Sequence, residues 1–249
     1  VFTTRAGHAR ETVQQVDPSS CDGIVIVSGD GLVHEVFNGL SSRRDAGEAM
    51  RIPIGHIPGG SGNGLAKSVL HACGEGFGVL DAAFIIGKGG QQPLDLMTVS
   101  QPNQPLRTSF LSLAGGVIAD IDLGSESLRS FGNLRFTLYA VVCVAWPRPL
   151  KGQLVYWPAE APDTPSPSAR PDLEGPLPEG PWVTVEDDFT AFWAMNTAWA
   201  SSDSHIAPGQ ALDSGSWSLV LLRNAGRVPL TQFLLAIDDG SHVGQEKVE

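Results

Sequence analysis

Ile24-Val25-Ile26-Val27-Ser28-Gly29-Asp30-Gly31-Leu32-Val33-His34-Glu35-Val36-Phe37-Asn38-Gly39-Leu40 passes from a β-branched run through a glycine turn into a helical repeat. Asp22 to Val27 predicts a short, buried strand of the parallel type, and Leu32 to Leu40 has helical spacing. The order recurs downstream. Ile52 to Ile57 predicts a second strand, Pro58 to Gly62 a second glycine turn, Leu65 to Cys73 a helix, and Val79 to Ile86 another. Upstream, Ala6, Ala9 and Val13 predict a helix over Arg5 to Val16. Strand, glycine turn and helix in repetition indicate an α/β layer on a mostly parallel sheet, assigned here to residues 1–90.

Beyond Gly87 the pattern changes. Pro93 to Val99, Leu106 to Leu113, Gln153 to Trp157, Phe189 to Met195 and Trp217 to Leu222 read as strands. Helices are expected at Arg135 to Trp146 and Pro229 to Ile237, which makes residues 91–249 a β-rich second domain. Within it, residues 158–181 hold eight of the chain's 18 prolines and read as a disordered insertion or long surface loop.

The 249 residues are 42% hydrophobic and 17% charged, a globular composition. Sixteen Lys plus Arg against 27 Asp plus Glu leave a net charge of -11, which opposes general nucleic-acid binding but not a small phosphate ligand. Cys21, Cys73 and Cys143 form no metal-binding spacing and suit a reducing compartment. Leu138 to Trp146, the longest apolar stretch, is too short for a bilayer span, and no signal segment opens the chain. A cytoplasmic protein is the expectation. The chain starts at Val1, and both ends read as cut from something longer.

Glycine turns that open helices let backbone amides approach a phosphate, and the helix end adds partial positive charge. Pro58-Gly59-Gly60-Ser61-Gly62-Asn63-Gly64 is such a turn, although it matches neither a Walker A loop, since Ala66 precedes Lys67, nor G-x-G-x-x-G. A plain strand-to-helix connection is the alternative for either turn alone; two at one end of a parallel sheet favour a ligand. Asp30, between Gly29 and Gly31, has two readings: a base that takes a hydroxyl proton beside a phosphate, or a helix cap. His34 reads as a packing or surface residue. Glu35 either reaches back to the turn or faces solvent.

Ser28 to Leu40 resembles the catalytic signature of the sphingosine kinases, and Pro58 to Leu65 resembles their second phosphate loop. The likeness continues through Phe110 to Asp122, Ser125-Glu126, Arg135-Phe136-Thr137-Leu138, Trp182-Val183-Thr184 and Phe233 to Ile237. The related diacylglycerol and ceramide kinases share the Gly-Asp-Gly turn. This resemblance implies a Rossmann-like nucleotide-binding domain of diacylglycerol-kinase type, a C-terminal β-sandwich, and ATP with Mg2+ in the cleft between them. By position it makes Asp30 the general base toward the primary hydroxyl of a sphingoid base. Ser28, Gly29 and Gly31 then line the meeting point of lipid and phosphate. Gly60, Ser61 and Gly62 cradle the phosphates, and Thr3, Thr4, Arg5, Ala6, Gly7 and Glu35 border the nucleotide.

Asp122 matches the carboxylate that meets the substrate amine, with Ser112 nearby, and Arg129 and Arg135 match phosphate-binding arginines. A carboxylate is the natural partner of a sphingoid ammonium, whereas diacylglycerol has no cation to offer it. The alternatives are an Asp120–Asp122 pair that ends a strand and arginines on a solvated helix face. Phe110, Leu111, Leu113, Val117, Leu138, Val142 and Phe192 are candidates for the lipid-tail pocket and equally for ordinary core. No protein metal site is expected. An amphiphilic substrate implies reversible contact with a membrane surface. Rival functions are a kinase for a neutral lipid and a catalytically silent lipid-binding module.

Overall fold

The computed structural model describes residues 1–132, 134–159 and 175–249, without the side chain of Arg129. In chain order the elements are α1 (His8–Gln14), β1 (Ile24–Ser28), α2 (Asp30–Ser41), α3 (Ala46–Ala49), β2 (Ile54–Pro58), α4 (Gly64–Ala72) and α5 (Val79–Lys88). They continue as β3 (Met97–Val99), β4 (Arg107–Ser109), β5 (Ser112–Gly116), α6 (Val117–Gly124), a 3-10 segment (Ser125–Phe131), α7 (Leu134–Ala145), β6 (Leu150–Tyr156), β7 (Val183–Met195), β8 (Ser218–Arg223) and α8 (Arg227–Ala236).

The N-terminal part has the expected α/β order. β1 and β2 pair in parallel, with Ile24 opposite Ile54 and Ser28 opposite Pro58, so both glycine turns leave the same end of the sheet. Val33, Val36, Phe37 and Leu40 recur at helical spacing and bury one face of α2 against Ile26, Ile52 and Leu65. Burial of each such side chain is worth about 1.5–3 kcal/mol. The expectation of a fully buried β1 is met on one face only. Ile26 is buried, whereas Val25 and Val27 face outward, because among the described residues this sheet has two strands and α2 covers one side. Helix α1 is shorter than expected because Gly7 precedes it in a left-handed conformation.

The C-terminal part is β-rich, but the pairing differs from the expected sandwich. Among the described residues it consists of one antiparallel sheet, in which β7 pairs with β5, β6 and β8, and a separate β3–β4 pair. The single strand expected over Leu106 to Leu113 is broken in two. Phe110 turns inward to meet Phe37 at 5.4 Å between ring centroids, and the chain changes sheets there. Asp120 and Asp122 end no strand; they sit on α6, whose Ile118, Ile121 and Asp122 share a helical face. Of the proline-rich stretch, residues 160–174 lie outside the described residues. At its base Trp157 and Trp182 meet edge to face at 5.1 Å.

One amide side chain joins the two parts, and another ties the C-terminal part together. Asn38 donates to the Thr108 carbonyl at 2.7 Å and accepts from the Thr108 amide at 2.9 Å. Buried Asn196 donates to the carbonyls of Asp95 and Phe110 at 2.7 and 2.9 Å. Replacing Asn196 with Ala leaves both carbonyls without this donor and should destabilise the fold by about 2–3 kcal/mol in urea titrations.

Burial pushes the pKa of His34 down, with Arg107 adding to the effect, and burial followed by the nearby His71 does the same for His205. Below their ordinary value of about 6.5 the unfolded chain binds protons that the folded chain resists. The associated stability is present above that pH and is lost as pH falls through it. Melting temperatures should therefore drop between pH 7.5 and 5.5, and by less in a His34→Gln, His205→Gln variant.

Candidate functional site

The glycine turns meet backbone to backbone. A β-carbon on Gly60 would stand 2.3 Å from the Gly29 α-carbon, so neither loop tolerates a side chain at the crossing. Asn63, in a left-handed conformation, ties the second turn together. Its Oδ1 accepts from the amides of Gly59 and Gly60 at 3.1 and 2.8 Å, and its amide donates to the Gly60 carbonyl at 2.7 Å.

Asp30 is the first helical residue of α2, and Gly29 holds the cap position. Its carboxylate caps a different helix. Oδ2 accepts from the Gly64 amide at 2.8 Å and Oδ1 from the Leu65 amide at 3.1 Å, at the start of α4. Both readings of Asp30 are thus structurally compatible: the capping bonds fix the carboxylate, and each oxygen retains a further lone pair. Among the described residues the amides of Asp30, Gly31, Ser61 and Gly62 have no protein acceptor. Exposed amides at two helix-opening turns form an anion-binding surface.

A cleft of about 1280 Å³ begins at these turns and runs between α6, α7 and α8 over one face of the β5–β7 sheet. Gly29, Asp30, Gly31, Gly60, Ser61, Gly62, Ser112, Asp122 and Arg135 all line it, which brings most of the expected site residues together. Ser28 lies just behind them, where its carbonyl meets His56 Nε2 at 2.8 Å. Arg135 is buried and carries its charge against Glu126 at 2.7 Å, with its guanidinium 4.4 Å from the Phe136 ring centroid. The expected role of Arg129 rests on a side chain outside the described residues.

Thr3, Thr4, Arg5, Ala6, Gly7 and Glu35 do not line the cleft. Glu35 reaches the start of α1, accepting from the amides of Gly7 and Ala9 at 2.8 and 3.2 Å, and so anchors the Thr3–Gly7 segment. His34 is half-buried beside Asn38, in keeping with a packing residue.

Of the expected lipid-tail residues, Leu111 alone lines this cleft. Phe110 and Val117 belong to the cores, and Leu113 and Leu138 are exposed. Val142 borders a separate small cavity of about 180 Å³. The apolar wall comes instead from Ile118 and Ile121, Ala140 and Val144, Leu234 and Trp193. Thr137, Ala140, Val141 and Val144 follow helical spacing along α7, a signal present in the sequence. The contribution of Trp193 depends on the facing of β7, which periodicity does not reveal when both faces are apolar.

The loop after β7 closes the polar end. Ser202 donates its amide to the Gly62 carbonyl at 2.7 Å, and a β-carbon on Gly64 would stand 2.6 Å from the Ala200 carbonyl oxygen. Asp203, unremarked in the sequence, lines the cleft here and accepts from the Ser201 hydroxyl at 2.6 Å.

Residues 1–99 match the diacylglycerol kinase catalytic domain family. The chain is 33% identical to sphingosine kinase 1 of Arabidopsis thaliana, a match that covers 95% of this chain and 52% of that protein. It is 32% identical to human sphingosine kinase 1, covering 99% of this chain and 69% of the human one. The chain thus spans about half the length of its plant relatives. The fold is similar to that of a diacylglycerol kinase from Bacillus anthracis, with a TM-score of 0.58 at 16% identity over 99% of this chain and 66% of that one. With the human relative matched across more than two thirds of its length, the chain belongs to the sphingosine kinase family.

Proposed function

We propose that this chain carries the phosphoryl-transfer and lipid-binding parts of an ATP-dependent kinase for sphingosine or a related sphingoid base. One observation supports this most: a single cleft joins unpartnered amides and a fixed carboxylate at one end to an acidic residue and an apolar channel at the other. Most of the nucleotide-facing groups lie in residues 1–90 and most of the lipid-facing groups in residues 91–249, with Asp30 and Arg135 crossing that division.

ATP, when bound, supplies the phosphoryl group. The amides of Ser61, Gly62, Asp30 and Gly31 offset its negative charge. Arg135 adds a cation at the cleft wall. The Asp30 carboxylate takes the proton from the primary hydroxyl of the lipid as that oxygen bonds to the γ-phosphorus, and the bond from that phosphorus to its bridging oxygen breaks to release ADP. Asp122 pairs with the ammonium group and thereby orients the hydroxyl, with Ser112 beside it. Among the described residues no group of three His, Cys, Asp or Glu side chains forms a metal site, so no protein cage for Mg2+ is assigned.

Leu123, Val141 and Leu235 line the cleft and are exposed. An apolar rim at a lipid channel supports reversible contact with a membrane surface. Among the described residues no helix is long and apolar enough to cross a membrane.

Transfer of label from ATP, with sphingosine and diacylglycerol offered side by side, tests the reading. Label should appear on sphingosine, and Asp30→Asn, checked for folding by its melting curve, should lower the rate by roughly 10²–10⁴-fold. Label on diacylglycerol alone would point to a neutral lipid, and label on neither acceptor would leave a silent lipid-binding module. Asp122→Asn should raise KM for sphingosine about tenfold, with a smaller change in kcat, as expected for loss of a charge-assisted contact.

A further inference from the structure

His56 is buried in the middle of β2, behind the glycine turns. It stands opposite Ile26 of β1, which is also buried. Strand alternation puts Gly55 on the other face, where a β-carbon would stand 2.9 Å from Ile86 Cδ1 of α5. An apolar side chain would fill the His56 position as well, as Ile26 does across the ladder.

The two ring nitrogens are used unequally. Nδ1 is buried without a partner among the described residues, whereas Nε2 lies 2.8 Å from the Ser28 carbonyl oxygen. A carbonyl only accepts, so Nε2 carries the proton and the ring donates. Ser28 closes β1, and its carbonyl also accepts from the Gly59 amide of the second turn at 3.0 Å. The two donors occupy both lone pairs of that oxygen. The peptide between Ser28 and Gly29 is planar and trans, so a carbonyl held toward β2 turns the Gly29 N–H the opposite way. That amide has no acceptor among the described residues, and Gly29 lines the cleft.

We propose that His56 is a positioning residue for the nucleotide: its Nε2–H fixes the Ser28–Gly29 peptide and so sets the Gly29 amide, beside those of Asp30 and Gly31, toward the phosphates. This rests on the kinase reading of the cleft and is independent of which lipid accepts the phosphoryl group. Loss of the imidazole acts on nucleotide affinity. Asp30 keeps its bonds to Gly64 and Leu65, and the Gly59 amide still holds the Ser28 carbonyl from one side.

The test is calorimetric binding of ADP with Mg2+, and separately of sphingosine in detergent micelles, to the unsubstituted chain, His56→Leu and His56→Gln. Leucine fills the site without a donor, and glutamine carries an Nε2 amide of similar reach. His56→Leu should weaken ADP binding roughly three- to tenfold, the worth of one hydrogen bond, with sphingosine affinity held within about twofold. His56→Gln should recover most of that loss. Unchanged ADP affinity in His56→Leu, equal weakening of both ligands, or a loss in His56→Gln as large as in His56→Leu would overturn the proposal. Nitrogen NMR of the unsubstituted chain, which does not depend on the leucine variant folding, should show His56 protonated on Nε2; protonation on Nδ1 alone would overturn the proposal. Failure of the unsubstituted chain to bind ADP would overturn the kinase reading and this proposal together. ADP binding without transfer of label to sphingosine would overturn the sphingoid-base reading and leave this proposal supported.

Discussion

The contact of the Asp30 carboxylate with the amides of Gly64 and Leu65 fixes the polar end of the molecule. It joins the start of α2 to the start of α4, two helices that follow two different strands. Without it the amides that open α4 would need another acceptor, since Asn63 spends its side chain on Gly59 and Gly60 and leaves its own helix uncapped. The same bonds hold the carboxylate at the mouth of the anion-binding surface. Structural and chemical demands therefore fall on the same two oxygens. An asparagine at this position presents one acceptor where two donors converge, so even this nearly isosteric change alters the junction of the loops.

From that junction outward, the cleft depends on direct polar contacts, some between the N- and C-terminal parts and some within the C-terminal part. Asn38 holds the Thr108 backbone to α2, and Asn196 holds β7 to the chain at Asp95 and Phe110. The Gly62 carbonyl and the close approach at Gly64 bring the loop around Ala200 and Ser202 against the second glycine turn. These contacts are directional and short, so the distance between the unpartnered amides and the apolar wall of the cleft is set by hydrogen-bond geometry more than by general hydrophobic contact.

Much of this was legible in the residues. The β-branched runs, the glycine turns and the spacing of Val33, Val36, Phe37 and Leu40 are local signals, and the parallel α/β unit follows from them. Asp30, the glycines, Ser112 and Asp122 come together in the cleft as the resemblance implied. The apolar wall of the cleft was only partly legible at the level of residues, because an apolar position carries the same signature whether it faces a core or a cavity. Phe110 shows the difficulty: it packs on Phe37, while its neighbour Leu111 lines the cleft. The helix α6 was missed because its short span follows directly on β5, with Gly116 making the turn in a left-handed conformation. The placing of Glu35 at the start of α1 depends on a contact 28 residues away in sequence, beyond the reach of any local pattern.

Charge explains why the anion-binding surface is built from backbone. A chain with a net charge of -11 repels a polyphosphate at long range, and two of its described cations, Arg135 and Lys67, already have partners. Arg135 faces Glu126, and the Lys67 ammonium lies 4.5 Å from the Trp199 ring centroid and 5.2 Å from that of Phe77. Backbone amides at helix starts attract an anion without adding net charge, act only at close range, and cannot be neutralised by a neighbouring carboxylate's proton equilibrium. The same acidic balance that opposes nucleic acid favours the approach of a cationic ligand at long range. The cleft therefore carries two kinds of chemistry, oriented peptide groups and acidic side chains.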